Sequence, residues 1–391
     1  MLLSQVRVLE VANVITGPYA GLMLADLGAD VIKIEAPPGG DGFRKWEGAG
    51  EGVRPSFAAY NRGKRSIALN LKVEQDKEAY RRLLSTADVV VENFRPGVMD
   101  RLGFSWPEVH AINPGLIYCY ISGMGSTGPE LGRPTYDAVA QAISGLWSQL
   151  SDGPNPEPVG PPIADQLTGM YATIAILGAL VNRGPSGAGV RVEVDMLTSC
   201  LAFQGSGIAS LTREGVVPGK LTRARNSQAY AFVAGDDKPF AVHLSTAKKF
   251  WVALCEAAGQ PALIDDPRFV DKAARVRNYT QLHDTFAGIF SGASRDELLR
   301  RLEAHDVPCA PILNLEEALA HPQVQQAEAI TSAGENGDLA LQGLVRSPVR
   351  IDGKYLASTV APPRYGEHSE EILASIGLSA SDSVAFDSKI P

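Results

Sequence analysis

The sequence predicts an α/β protein, with a large Rossmann-like domain built on a mostly parallel sheet and a smaller α+β domain. Through the first half of the chain, short β-rich runs alternate with runs of helical periodicity. That alternation implies parallel strands covered by helices on both faces. After about residue 225 the texture changes, and two strand-like runs flank Gly235-Asp236-Asp237, as in a hairpin. The length, 391 residues, exceeds what one ordinary core accommodates. The expected divisions are 1–224, 225–325 and 326–391, the last returning to the large domain.

Val6 to Val11 is β-rich; Ala20, Met23, Leu24 and Leu27 fall at helical spacing; Gly28 stops that helix; Val31 to Ile34 forms the next strand. The intervening turn, Asn13 to Pro18, lacks GxGxxG, so the dinucleotide fingerprint is missing from a Rossmann-like unit. Ser66–Leu71, Val89–Val91, Leu116–Ile121 and Val190–Val194 read as strands, and Glu74–Leu84 and Tyr136–Leu150 as helices. Ser105-Trp106-Pro107-Glu108 has the pattern of a capping box. Ser122 to Pro134 carries glycines at 123, 125, 128 and 132 and reads as a flexible loop. Asp152 to Pro162 is too rich in Pro and Gly for regular structure, and it leads into a long helix over about 165–182. In the second domain, Ala229–Val233 and Phe240–Leu244 form the hairpin, Ser294 to Glu297 is another capping box, and Val307–Leu313 is strand-like.

A formal net charge of −8 argues against general nucleic-acid binding, which needs a basic field. Cys119, Cys200, Cys255 and Cys309 form no CxxC pair, so free thiols in a reducing compartment are expected. The N-terminus has no basic segment followed by a long apolar core. The most apolar run, Leu167 to Val181, is shorter than the roughly 20 residues that span a bilayer and reads as a buried helix. The six histidines have no metal-ligand spacing, and GxSxG is absent, which disfavours zinc and serine hydrolases. A cytoplasmic enzyme with no metal and no membrane partner is expected.

Three groups of residues carry potential chemistry. Asp165 ends a Pro-rich loop and opens an apolar helix. It reads as a helix N-cap, or as a carboxylate held at the positive end of a helix and able to act as a nucleophile. Arg62, Lys64, Arg65, Lys72, Arg95 and Arg101 read as a solvated face, or as a site for phosphates. The Glu92–Gly97 turn follows a strand at its carboxyl end, where ligands dock in open α/β sheets. Tyr136-Asp137 reads as a helix cap or as a substrate contact.

These pieces together resemble the class III CoA-transferase family, which includes formyl-CoA transferase, carnitine CoA-transferase and α-methylacyl-CoA racemase. The likeness runs in order through VLEVANVITGPYAGLMLADLGADVIKIE (8–35), NRGKRSIALNLK (61–72), ADVVVENFRPGVMDRLGF (87–104), YDAVAQAISGL (136–146) and PPIADQLTGMYATIAILGAL (161–180), and more weakly through DDPRF (265–269) and the run 310–324. The resemblance implies Asp165 as the catalytic aspartate. It implies CoA contacts at Leu71, Lys72, Asn93, Phe94, Arg95, Val98 and Arg101, and substrate contacts at Asn13, Thr16, Tyr136 and Asp137. It also implies acyl-CoA and a free carboxylic acid as substrates, no tightly bound cofactor, and an interlinked homodimer of ring-like subunits. The racemases carry His-Asp where this chain has Tyr136-Asp137, so an acid/base group is lost and transfer is favoured over racemisation. Formyl-CoA transferases have a glycine-rich gating loop where this chain reads RARNSQAY (223–230), and His where it has Asn13, which argues against formate and oxalate. Arg223 and Arg225 read as surface salt bridges or as partners for a dicarboxylate such as succinate. An acyl-CoA epimerase or racemase with Asp165 as base and Tyr136 or Asp137 as partner, and a non-catalytic nucleotide- or CoA-binding module, remain as alternatives.

Overall fold

Six short runs, most of them rich in Val and Ile, form the central sheet of the computed structural model: β1 (Arg7–Val11), β2 (Asp30–Glu35), β3 (Lys64–Ala68), β4 (Val89–Glu92), β5 (Ile117–Ser122) and β6 (Arg191–Asp195). The order is β3-β2-β1-β4-β5-β6, and every pairing is parallel. This is a doubly wound arrangement whose direction reverses between β1 and β4. The structure describes all residues except 49–52, 152, 185–186, 332–341, 357–359, 384 and 386–391. Asp152, the start of the expected Pro/Gly-rich loop, and parts of the expected return segment therefore lie outside the described residues.

The helices are α1 (Thr16–Asp26), α2 (Pro55–Asn61), α3 (Glu74–Thr86), α4 (Val98–Leu102), α5 (Trp106–Ile112), α6 (Asp137–Ile143), α7 (Trp147–Leu150), α8 (Ile163–Arg183) and α9 (Met196–Phe203). Tyr80, Leu83 and Val109 of α3 and α5 pack on one face of the sheet. Ala20 and Leu24 of α1, with Ala172 and Ile176 of α8, pack on the other. The expected helix from Tyr136 to Leu150 is two pieces, α6 and α7, because Gly145 adopts φ +78° between them. Helix α8 is 21 residues long and by composition apolar enough to cross a membrane, so the length argument made from the shorter apolar run fails. Its packing against α1, β5 and β6 accounts for its apolar character. Gly169 makes the close approach possible, since a Cβ there would lie 2.8 Å from the Thr16 carbonyl oxygen.

The chain divides into two units. One comprises 1–147, 158–205 and 328–391; the other comprises 148–157 and 206–327. The boundary expected at 224/225 therefore falls inside the second unit. That unit contains the antiparallel sheet of β7 (Ala229–Val233), β8 (Pro239–His243) and β9 (Cys309–Pro311). Its core is aromatic, with Phe232, Phe240 and Phe290 in mutual ring contact and Phe286 packed on Phe290. The strand expected over 307–313 shrinks to three residues, Cys309–Pro311.

Three of the six basic residues proposed for phosphates are structural instead. Arg62 is buried against Asp26, with one contact of 2.8 Å. Lys64 is fully buried and pairs with Glu10 at 2.6 Å. Arg65 bridges Asp30 and Glu371, each at 2.7 Å. Lys64 belongs to a buried network with Lys33, which contacts Glu10 and Asp41 at 2.9 Å each. Burial works against the Lys33 ammonium, but Asp41, Glu10 and Glu35 outweigh it and raise its pKa. Lys33→Met would leave Glu10 and Asp41 buried without that cation. Urea unfolding should then show a loss of roughly 3–5 kcal/mol. Arg81→Ala, whose partners Glu74 and Glu78 are exposed, should cost at most about 1 kcal/mol. Equal losses in the two variants would contradict this account.

Candidate active site

The turn between β1 and α1 is held by side chains from four other segments. Asn93 accepts the Asn13 N–H at 3.0 Å and donates to the Asn13 carbonyl at 2.9 Å. Lys33 donates to the Ala12 carbonyl and Lys64 to the Pro18 carbonyl, both at 2.8 Å. Both Asp41 oxygens accept the Val14 N–H, at 3.1 and 3.2 Å. Val14 has φ +70°, a conformation that a β-branched residue adopts only where its surroundings impose it. Gly17 is required nearby, because a Cβ there would lie 2.3 Å from that of Ala12. The turn delivers Thr16, whose hydroxyl donates to Asp165 Oδ1 at 2.6 Å.

Asp165 lies in the first turn of α8, but the cap of that helix comes from elsewhere. Asp137, at the start of α6, accepts the Ala164 N–H at 2.7 Å and the Asp165 N–H at 3.3 Å. Its second oxygen accepts from Gln141 at 2.6 Å. The N-cap reading of Asp165 is thus corrected, since Asp137 satisfies the orphan donors and leaves the Asp165 side chain to Thr16. Asp165 is 7% exposed. Burial raises its carboxyl from 3.8 to about 6; the Thr16 hydrogen bond opposes that rise and the Asp137 charge adds to it.

Asp165 opens on a cavity of about 250 Å³ at the carboxyl ends of β1, β4 and β5. Of the residues singled out from the sequence, Asn13, Thr16, Asn93, Phe94, Arg95, Tyr136 and Asp165 stand in its wall. Leu71, Lys72, Val98, Arg101 and Asp137 do not. Leu71 is buried in the core of the large unit, and Val98 is half-buried at the start of α4. Lys72 and Arg101 are exposed and make no ion pair among the described residues. The Gly-rich segment contributes Gly123, Gly125, Gly132 and Thr135 to the wall, as well as Met124 and Arg133. Arg133 and Met196, also in the wall, were missed from the sequence. Arg133 could have been found by treating the whole loop before Tyr136 as a ligand wall.

The family model for CoA-transferase family III matches residues 3–369. The chain belongs to CoA-transferase family III. Succinate–glutarate CoA-transferase of Agrobacterium fabrum is 35% identical over 384 residues, covering 96% of this chain and 95% of that protein. Succinyl-CoA:mesaconate CoA-transferase of Haloarcula marismortui is 32% identical, covering 96% of each. The crystal structure of a CaiB/BaiF family protein from Brucella suis superposes with a TM-score of 0.83 at 32% identity, covering 95% of this chain and 98% of that one. The resemblance read from the sequence and the α/β fold are both borne out.

In this family III enzyme the folded chain binds the Asp165 proton more tightly than the unfolded chain does. The group's contribution to stability therefore falls as pH rises from 3.8 to about 6 and is least favourable above that window. At pH about 8, Asp165→Asn is expected to be more stable than wild type by on the order of 1–3 kcal/mol in denaturant unfolding. The gap should narrow as pH falls through that window and close well below 3.8, where the carboxyl is neutral in both the folded and the unfolded chain. A gap that does not change with pH would count against the buried charge.

Proposed function

We propose that this CoA-transferase moves CoA from an acyl-CoA to a free carboxylic acid, with Asp165 as the nucleophile. The observation that carries the reading is a carboxylate, ionised at neutral pH but largely removed from water, presented to a cavity by Thr16. An Asp165 oxygen attacks the thioester carbonyl and CoA thiolate leaves, giving a mixed anhydride. The thiolate then attacks the aspartyl carbonyl, releasing the first carboxylic acid and leaving an aspartyl-CoA thioester. The acceptor carboxylate attacks that thioester to form a second anhydride and expel the thiolate. Thiolate attack on the acceptor carbonyl yields the new acyl-CoA and restores Asp165. Each step exchanges one activated acyl group for another, so no ATP is consumed. Anhydrides hydrolyse, so exclusion of water is essential. The Ala164 and Asp165 N–H groups are taken by Asp137, which leaves the glycine turns of the wall to supply oxyanion donors.

Racemisation fits the geometry less well. It needs two acid/base groups about one carbon; of the two partners considered for Asp165, Asp137 caps α8 and lies outside the cavity wall, which leaves Tyr136 in the wall as the one candidate. Succinyl-CoA as donor and a dicarboxylic acid as acceptor are the favoured pair. Relatives bear succinate, glutarate and mesaconate in their names, and Arg95 and Arg133 line the wall, with Arg133 also paired to Glu130 at 2.9 Å. Lys72 and Arg101 remain proposed contacts for CoA phosphates at the surface. The interlinked homodimer belongs to the same proposal. Ile174 and Val181 of α8 and Phe203 of α9, at 60%, 83% and 58% exposure, are apolar surface that a second copy would cover. Four free cysteines fit a reducing, cytoplasmic setting.

Asp165→Asn should abolish transfer while CoA binding, read by calorimetry, stays within about threefold of wild type. Full turnover in this variant would end the proposal. In wild type, kcat/KM should rise with pH through about 6, as ionised Asp165 becomes available. Thr16→Val removes a hydrogen bond that stabilises the anion, so this acid limb should move to higher pH; an unmoved limb assigns the titration elsewhere.

A further inference from the structure

Glu92 is the last residue of β4 and is 4% exposed, yet the transfer chemistry does not use it. One carboxylate oxygen accepts the Phe94 N–H at 2.8 Å, and the other accepts the Tyr118 hydroxyl at 3.2 Å. Phe94 sits in the turn Asn93–Pro96, which forms one wall of the Asp165 cavity. Asn93 ties this turn to Asn13 from above, and Glu92 holds it from the sheet. On its other side Glu92 faces a second cavity of about 310 Å³, and Arg95 and Pro96 line both cavities.

We propose that Glu92 is a positioning residue: by accepting the Phe94 N–H its carboxylate fixes the Asn93–Pro96 wall, and the affinity of the Asp165 cavity for CoA falls when Glu92 takes up a proton. The proposal rests on the transfer reading only in assuming that CoA occupies that cavity. A charged acceptor makes a stronger hydrogen bond than a neutral one. A proton on either oxygen weakens the hold on Phe94 or forces the Tyr118 hydroxyl to turn round. The groups facing Glu92 oppose one another. Arg191 on β6 lowers its pKa, as does the Tyr118 hydrogen bond from β5 and the Phe94 N–H, whereas Asp100 on α4 raises it. The Arg95 guanidinium shares the second cavity, and Tyr80 of α3 and Tyr120 of β5 lie within the reach of the Glu92 charge. Burial is the largest influence, and it brings Glu92 up to about 7. The second cavity borders this carboxyl, and Asp165 is not in its wall.

The test is calorimetric titration of CoA into the full-length wild type and Glu92→Gln between about pH 5.5 and about pH 8.5. Glutamine keeps the shape and the acceptor oxygen but carries no charge. The CoA phosphate monoester titrates near ~6 in both experiments, so the ratio of the two dissociation constants is the readout. Wild type should bind roughly fivefold more tightly than Glu92→Gln at the alkaline end, and the ratio should approach one at the acid end. A ratio that stays constant with pH, or equal affinity throughout, overturns the proposal. Tyr118→Phe provides a second route. Losing that hydroxyl raises the Glu92 pKa, so the pH at which CoA binding weakens should move upward, and no movement overturns the proposal. Turnover of succinyl-CoA with a panel of acids separates the two readings. Absence of turnover with the expected binding ratio sinks only the transfer reading. Failure of the wild type to bind CoA at any pH sinks both.

Discussion

The turn at the candidate active site depends on the two buried lysines that hold its carbonyls. Between the end of β1 at Val11 and the start of α1 at Thr16 the chain is neither strand nor helix, and Val14 sits there at positive φ. Lys33 and Lys64 satisfy the Ala12 and Pro18 carbonyls, and Asp41 satisfies the Val14 N–H. Glu10 and Asp41 in turn neutralise the two ammonium groups. An ion cluster of this kind adds little net stability relative to a well-packed apolar core. What it supplies is position: the turn has one conformation in which all its polar groups are satisfied, and that conformation places the Thr16 hydroxyl 2.6 Å from Asp165.

The two aspartates near the cavity divide the work between them. In the proposed mechanism a carboxylate that also capped α8 would be a poor nucleophile, because capping engages its oxygens with N–H donors. Asp137 takes the capping role from α6, which frees Asp165 to make one hydrogen bond and face the cavity. Asp137 also raises the Asp165 pKa by its charge. Its presence therefore positions the helix while keeping the neighbouring carboxylate more basic than a solvated one.

Local signals in the sequence revealed much of this architecture. β-rich runs and helical spacing located all six strands of the large sheet, and the Pro-rich segment before an apolar run marked Asp165. Roles that depend on distant partners were not legible. Lys64 and Arg65 open a strand with the sequence KRSIA and look like surface charge, because Glu10 and Asp30 approach them only through sheet pairing. Asp137 opens α6, and its role as the cap of α8 depends on a partner 27 residues away. Arg133 lies in a loop with no periodicity, so nothing local distinguishes it from a solvated arginine. The domain boundary was misplaced for a related reason: α10 (Gly205–Glu214) and α11 (Thr222–Ser227) carry no composition break at their start.

The missing GxGxxG now has a physical explanation. In dinucleotide-binding folds the glycines let a pyrophosphate approach the N-terminus of the first helix, whose dipole favours negative charge. Here the same helix end carries Thr16 and points it at Asp165, so the anion at the switch point is a side chain of the protein. Two tight-packing glycines remain on this helix, Gly17 against Ala12 and Gly21 against Glu10. Asp165 also lies in the first turn of α8, so the positive ends of two helices converge on one carboxylate. Each dipole is worth about 0.3–1 kcal/mol to a nearby anion, and the Thr16 hydrogen bond adds to them. These attractions offset part of the burial that drives the pKa upward. The net position near 6 leaves Asp165 charged at neutral pH, yet more basic than a fully solvated carboxylate, which is the combination that the proposed nucleophilic role requires.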